Sequence, residues 1–144
     1  LGQYAYKNSI EGSVDGSCMM VVATDAPLDS RNLKRLAKRA IMGLAKTGAI
    51  ASNGSGDYVI AFSANESVRI PYGSGKPTDT FTTLRNDNMS PLFMAAIEAT
   101  EEAIINSLFA ATPVGKLRNG EEVKPLPVDK VMGIMKKYNK VGKR

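Results

Sequence analysis

The sequence offers hydroxyl and thiol nucleophiles but contains no histidine. Within this chain that excludes a Ser-His-Asp triad, a Cys-His pair and a His-ligated zinc ion. What remains is a Ser, a Thr or the lone Cys18 working with a base other than imidazole. One such base is the α-amino group of the nucleophilic residue itself. A backbone cut before a Ser or Thr sets a hydroxyl beside an amine of reference pKa about 7.7–8.0, close enough to neutrality to accept its proton. Ser17, in "VDGSCMMVVATDAP", has the right form: it follows the small Gly16 and precedes the apolar run Met19–Thr24, which "DAP" terminates. That run reads as a buried core strand. On these residues alone a plain loop before a strand is the simpler reading.

A second stretch, "ASNGSGD" at 51–57, is a polar, Gly-rich loop feeding the strand "YVIAFS" at 58–63. Such a loop positions side chains and backbone N–H groups at a strand end. It is not a phosphate loop: it lacks the GK[ST] ending and the G-x-G-x-x-G spacing, and it enters a strand rather than a helix.

Other elements must hold these stretches in place. Asp29 or Ser30 can cap a helix whose apolar positions Leu33, Leu36, Ala37, Ala40, Ile41 and Leu44 repeat near 3.6, with Gly48 as its C-terminal stop. Lys34, Arg35, Lys38, Arg39 and Lys46 read as its solvated face. Short strands are expected at 68–70 and 80–84, joined by "PYGSGKPTD". Ser90 caps a long helix with Pro91 at its first position, and its stripe Phe93, Ala96, Ile97, Thr100, Ile104, Leu108 and Ala111 predicts packing on a sheet. "RNGEEV" reads as a turn through Asn119-Gly120, and 127–138 as a last helix.

The chain of 144 residues suits one compact domain with a real core. Its elements predict a layered α/β or α+β domain. Its net charge of +5 equals the five charges of Lys136, Lys137, Lys140, Lys143 and Arg144, so the basicity belongs to the tail. With no aromatic residues interleaved in a basic patch, a nucleic-acid partner is not expected. No apolar run approaches the roughly 20 residues of a membrane span, and the expectation is a soluble protein, cytoplasmic or periplasmic. One cysteine excludes an internal disulfide. No metal or cofactor is expected. The chain opens on Leu1 rather than Met, which suggests a piece of a longer polypeptide.

The stretches "GSCMMVVATDAPLDSRNLKRLAKRAIMGLAKTGAIASNGSGDYVIAFS" and "NMSPLFMAAIEATEEAIINSLFAAT" resemble the nucleophile-bearing portion of the self-processing L-aminopeptidase/D-amidase-esterases and β-peptidyl aminopeptidases. The likeness runs from Gly16 to about Pro127. It implies a precursor that cuts itself between Gly16 and Ser17, with Gly16 leaving the carbonyl open to the Ser17 hydroxyl. Residues 1–16 would then be a tail or linker, and 17–144 part of a single domain completed by a larger upstream chain. The family's Ser-Gly-acid triplet matches Ser55, Gly56 and Asp57. The resemblance implies that Ser55 bonds the Ser17 amine or hydroxyl and that Asp57 orients the network and favours the ammonium. Asn53 and Gly54 are candidates to face substrate, with turn formation the plainer role for Asn53. Thr24 and Asp25 of "ATDAP" read as strand termination, and the glutamates of "EATEEAI" as helix surface or subunit contact. The implied fold is a four-layer α/β/β/α sandwich resembling N-terminal nucleophile hydrolases with different connectivity. The implied function is release of N-terminal residues from peptides, amides or esters by a homo-oligomeric enzyme. An acyltransferase of the ornithine acetyltransferase type, whose nucleophile is Thr where this chain has Ser17, and a non-catalytic remnant are the alternatives.

Overall fold

The computed structural model describes residues 16–116 and 122–142. The chain divides into two compact units, 1–100 and 101–144. The first is a βαβ unit followed by irregular chain and most of a long helix. Strand β1 (Met19–Thr24) and strand β2 (Tyr58–Ser63) occupy the expected residues and pair in parallel, Met19 opposite Tyr58 through Thr24 opposite Ser63. Parallel strands need a crossover, and helix α1 (Ser30–Lys46) supplies it.

Both ends of α1 follow from its sequence. Asp29 is the N-cap, its side chain accepting from the Asn32 backbone N–H at 2.7 Å. Beyond the C-cap Thr47, Gly48 takes φ +103°, a left-handed conformation that a side chain would resist. Leu36, Ala40, Gly43 and Leu44 are buried along one side of α1. On the sheet, the face carrying Met20 and Val22 of β1 with their partners Val59 and Ala61 of β2 is buried or half-buried.

The other face departs from the expected fully buried strand. Met19, Val21, Tyr58, Ile60 and Phe62 stay between 47% and 66% exposed, and the register sets them side by side. An apolar run without alternation is the pattern of a strand covered on both faces. Among the described residues α1 lies against one face, and the other face is exposed.

The expected strands at 68–70 and 80–84 are not formed. The Asn65 side chain accepts from the Ser67 backbone N–H and caps a 3₁₀ turn at Glu66–Val68. Residues 71–80 are wholly exposed. Leu84 sends its N–H to Pro27 O at 2.8 Å. A strand needs a continuous partner for its backbone groups, and a single bond of this kind is not a ladder.

Helix α2 (Ser90–Ala110) has Pro91 in its first turn, where no intrahelical N–H is required. Its buried residues Ala96 and Thr100 do not meet a sheet as expected: the glycine of α1, Gly43, lies against Ile97 and Thr100. Leu28, Leu36, Met89 and Ala96 form the core cluster, with Val22, Leu33, Leu84, Leu92 and Phe93 around it. The Arg35 and Arg39 guanidinium groups stack over the Phe93 ring, 5.0 and 4.0 Å from its centroid, so these two cations cover aromatic surface as well as meeting water.

The second unit contains an antiparallel pair, β3 (Val114–Lys116) with β4 (Glu122–Val123), and helix α3 (Val128–Lys137). The helix matches the expected 127–138, with Pro127 and Tyr138 as its caps. The Asn119-Gly120 turn, residues 1–15 and the last two basic residues lie outside the described residues. Among the described residues no helix is long and apolar enough to cross a membrane.

Candidate active site

The β1–β2 ladder runs one residue past the start of β1. Tyr58 donates its backbone N–H to Cys18 O at 3.1 Å, which fixes the chain immediately after Ser17. The loop entering β2 is shaped by two local features. Ala51 takes φ 48°, a left-handed conformation costly for a residue with a Cβ, and Ser55 N–H closes a turn onto Ser52 O at 2.9 Å. Asn53 and Gly54 are the exposed corner of that turn. The strand start at 16–18 and the loop end at 55–57, 39 residues apart in sequence, thereby meet.

Three hydrogen-bond contacts join them, and a fourth lies within the loop itself. Gly56 donates its backbone N–H to Ser17 Oγ at 2.9 Å. Cys18 donates its backbone N–H to Asp57 Oδ1 at 2.8 Å. Ser55 Oγ lies 2.6 Å from Asp57 Oδ2 and 2.5 Å from the carbonyl oxygen of Gly16. The Ser55 hydroxyl is therefore directed at Gly16 and Asp57 rather than at the Ser17 hydroxyl. Ser17 is exposed, whereas Ser55 and Asp57 are half-buried.

Chemically the cluster is an exposed hydroxyl held by a backbone donor, beside a second hydroxyl and a carboxyl group, around one peptide bond. Two contributors were not singled out from sequence, the backbone N–H groups of Gly56 and Cys18. The signal for Gly56 was its place between the candidate residues Ser55 and Asp57: a Cβ there would lie 3.3 Å from Ser17 Oγ. Thr24 turns the chain as expected, its Oγ1 accepting from Ala26 N–H at 3.1 Å. Glu98 and Glu102 lie on the helix surface. No three His, Cys, Asp or Glu side chains converge among the described residues.

A cavity of about 500 Å³, lined among others by Leu28, Leu33, Phe62, Val68, Ile70 and Phe81, opens at the far end of β2. At about 3.3 Å per strand residue it stands nearly a full strand length from Ser17. Its lining does not include Ser17, Ser55 or Asp57.

The sequence profile of peptidase family S58 matches residues 1–122. The chain belongs to that family. That match spans both halves of the site, 16–18 and 55–57. It is 44% identical over 128 residues to the β-peptidyl aminopeptidase BapA of Sphingosinicella microcystinivorans, a match covering 88% of this chain and 31% of that protein. The L-aminopeptidase D-Ala-esterase/amidase of Ochrobactrum anthropi, described as a prototype of serine aminopeptidases and a variant of the Ntn hydrolase fold, superposes with a TM-score of 0.75 at 29% identity. That match covers 85% of this chain and 34% of the other. A protein of Pyrococcus horikoshii OT3 superposes equally well, TM-score 0.75, at 42% identity and with the same coverage. The S58 chain thus shares the mixed α/β architecture of these folds and spans about a third of the length of the curated relatives it matches.

Proposed function

We propose that the protein is an aminopeptidase or amidase whose nucleophile is Ser17, exposed when the precursor cuts its own Gly16–Ser17 bond. The observation that carries this reading is the Gly56 N–H bond to Ser17 Oγ, with Ser55 and Asp57 gathered on the same peptide junction. Once the bond is cut, the new α-amine takes the proton of the Ser17 hydroxyl as the oxygen attacks the carbonyl of an N-terminal residue. The Gly56 N–H stabilises charge on that oxygen, and the Asp57 carboxylate favours the ammonium that forms. The ammonium then protonates the departing amine, leaving an acyl-enzyme ester on Ser17. Water, deprotonated by the same amine, releases the acid and restores the hydroxyl.

The site stands at the N-terminal ends of two parallel strands, whereas open α/β sheets bind ligands at their carboxyl ends. An N-terminal nucleophile accounts for this inversion, because its reactive residue is the chain terminus from which the strand begins.

The remaining part of the enzyme is the upstream polypeptide, which covers the apolar face of Met19, Val21, Tyr58, Ile60 and Phe62 with a second sheet to give an α/β/β/α sandwich. The exposure of that face and the one-third share of the relatives' length support this. The test is intact mass and N-terminal sequencing of the full-length precursor, followed by hydrolysis of aminoacyl amides. A terminus at Ser17 with hydrolysis, and neither in Ser17→Ala, is the expected outcome. A Ser17→Ala protein that still splits at this junction and still cleaves amides refutes the reading.

A further inference from the structure

Helix α3 and the residues after it have features that the chemistry at Ser17 does not use. Residues 128–144 hold six cations and one carboxylate, so their net charge equals the +5 of the whole chain. They lie beyond the stretch 1–122 that matches the S58 profile. At about 100° per residue, Val128, Val131, Met132, Ile134 and Met135 gather on one arc of α3, and the C-cap Tyr138 continues it. Asp129, Gly133 and the lysines take the opposite arc. Lys130 borders the apolar arc one turn before Ile134, and Lys136 borders it on the other side one turn after Met132. The apolar arc is not a core face: no residue of α3 is buried, and Val128 and Tyr138 are 38% and 56% exposed. On the polar side a Cβ added at Gly133 would meet nothing within 4 Å, so that side looks into open space. The helix also has a defined stop. Asn139 takes φ 52°, and Asn139 and Lys140 donate their N–H groups to Lys136 O and Met135 O at 3.1 and 2.8 Å.

We propose that α3 is a docking surface for an anionic lipid bilayer, lying in the plane of the headgroups with its apolar arc down and its lysines on the lipid phosphates. An interfacial helix needs a segregated apolar face, cations around it and low overall hydrophobicity, and α3 has all three. Ten residues at about 1.5 Å each make a rod of about 15 Å, half the hydrocarbon thickness, so the helix can lie on a bilayer but cannot span one. Lys130 and Lys136 stand where their stems can follow the apolar arc while the ammonium groups reach phosphate. Tyr138, with an apolar ring and a polar hydroxyl, suits the same boundary. The Lys137 ammonium lies 5.7 Å from its ring centroid. Cations on both borders, opposed by Asp129 alone, fit a partner that is anionic along its whole extent. A nucleic acid meets that condition but offers no apolar layer to receive Val131 and Ile134. The inference is independent of the role given to Ser17.

The experiment sediments the full-length protein with vesicles of phosphatidylcholine alone or mixed with phosphatidylglycerol. Binding to the anionic vesicles, falling as salt is raised, and little binding to the neutral ones is the expected result. One lysine near an anionic surface is worth about fivefold in the binding constant, so Lys130→Gln with Lys136→Gln should bind about 30-fold more weakly. Val128→Asp, which sets a carboxylate at an exposed position of the apolar arc, should weaken binding by about fivefold or more and leave the urea midpoint unchanged. Failure of the wild-type protein to sediment with phosphatidylglycerol vesicles overturns the proposal, as does undiminished binding by the lysine variant. A Val128→Asp protein whose urea midpoint falls sharply, or whose mass by light scattering drops from an oligomer to a smaller species, also overturns it. The apolar arc would then be covered by the upstream polypeptide or by a second copy of the chain.

Discussion

Substituting Gly43 by Ala tests how the helices that support the site are packed. A Cβ at this position of α1 would lie 2.6 Å from Ile97 O, 2.7 Å from Thr100 Cβ and 3.2 Å from Thr100 Cγ2. Favourable carbon contacts fall near 3.5–4.0 Å, so the helices must separate by about 0.8 Å or more. The obstacle is a backbone carbonyl and a branched side chain in the first turn of its χ, neither of which can swing away. Overpacking of this kind costs about 1–3 kcal/mol, and the rigid obstacle argues for the upper part of that range. Helix propensity works in the opposite direction, since Ala is favoured over Gly by about 1 kcal/mol in a helix interior. The net expectation is a loss of about 1–2 kcal/mol. The assay is urea unfolding of the full-length protein, read as a lower midpoint with an unchanged slope. A variant as stable as the wild type, or more stable, would show that α1 and α2 do not approach this closely at Gly43.

Two further substitutions probe the site and the exposed sheet face. In Gly56→Ala the new Cβ would sit 3.3 Å from Ser17 Oγ and 3.4 Å from Tyr58 Cε2, so the hydroxyl must give by a few tenths of an ångström. A 1 Å misplacement can cost about 10²-fold, so self-cleavage should slow by about three- to tenfold with no loss of stability; an unchanged rate would mean that Ser17 does not react from this position. Ile60→Asp places a carboxylate on a side chain that is 58% exposed in this chain. If the upstream polypeptide covers that face, the urea midpoint of the full-length protein should fall sharply, whereas a change within about 0.5 kcal/mol, usual for surface positions, would refute the proposed covering layer.

The elements that carry the site were legible from local pattern. β1, α1 and β2 stand where apolar runs, a 3.6-residue period, the N-cap Asp29 and the stop residue Gly48 placed them. In each case the signal lies within a few residues of the structure it specifies. The segment from 64 to 84 was misread because Val68–Ile70 and Thr80–Leu84 have strand composition, whereas forming a strand depends on a partner supplied elsewhere in the fold. The packing of α2 was misread for a related reason. An apolar stripe states that a face is covered but does not name the cover, and the small Gly43 lets α1 take that place.

At the site, the absence of histidine excluded an imidazole base from this chain, and Ser17, between a small glycine and an apolar run, offered a candidate whose base would be its own α-amine. Resemblance added Ser55 and Asp57. Neither could show what Ser55 touches. That depends on a left-handed Ala51, on the turn closed onto Ser52 and on the parallel register that extends to Cys18, which together aim the hydroxyl at Gly16. The same register gathers Met19, Val21, Tyr58, Ile60 and Phe62 on one uncovered face. Sequence determined what is decided between near neighbours: where strands and helices begin and end, and which chemistry the residue types allow. Only the tertiary structure decided which groups meet across 39 residues of chain, because strand register and loop closure set those distances and neither is encoded by adjacent residues.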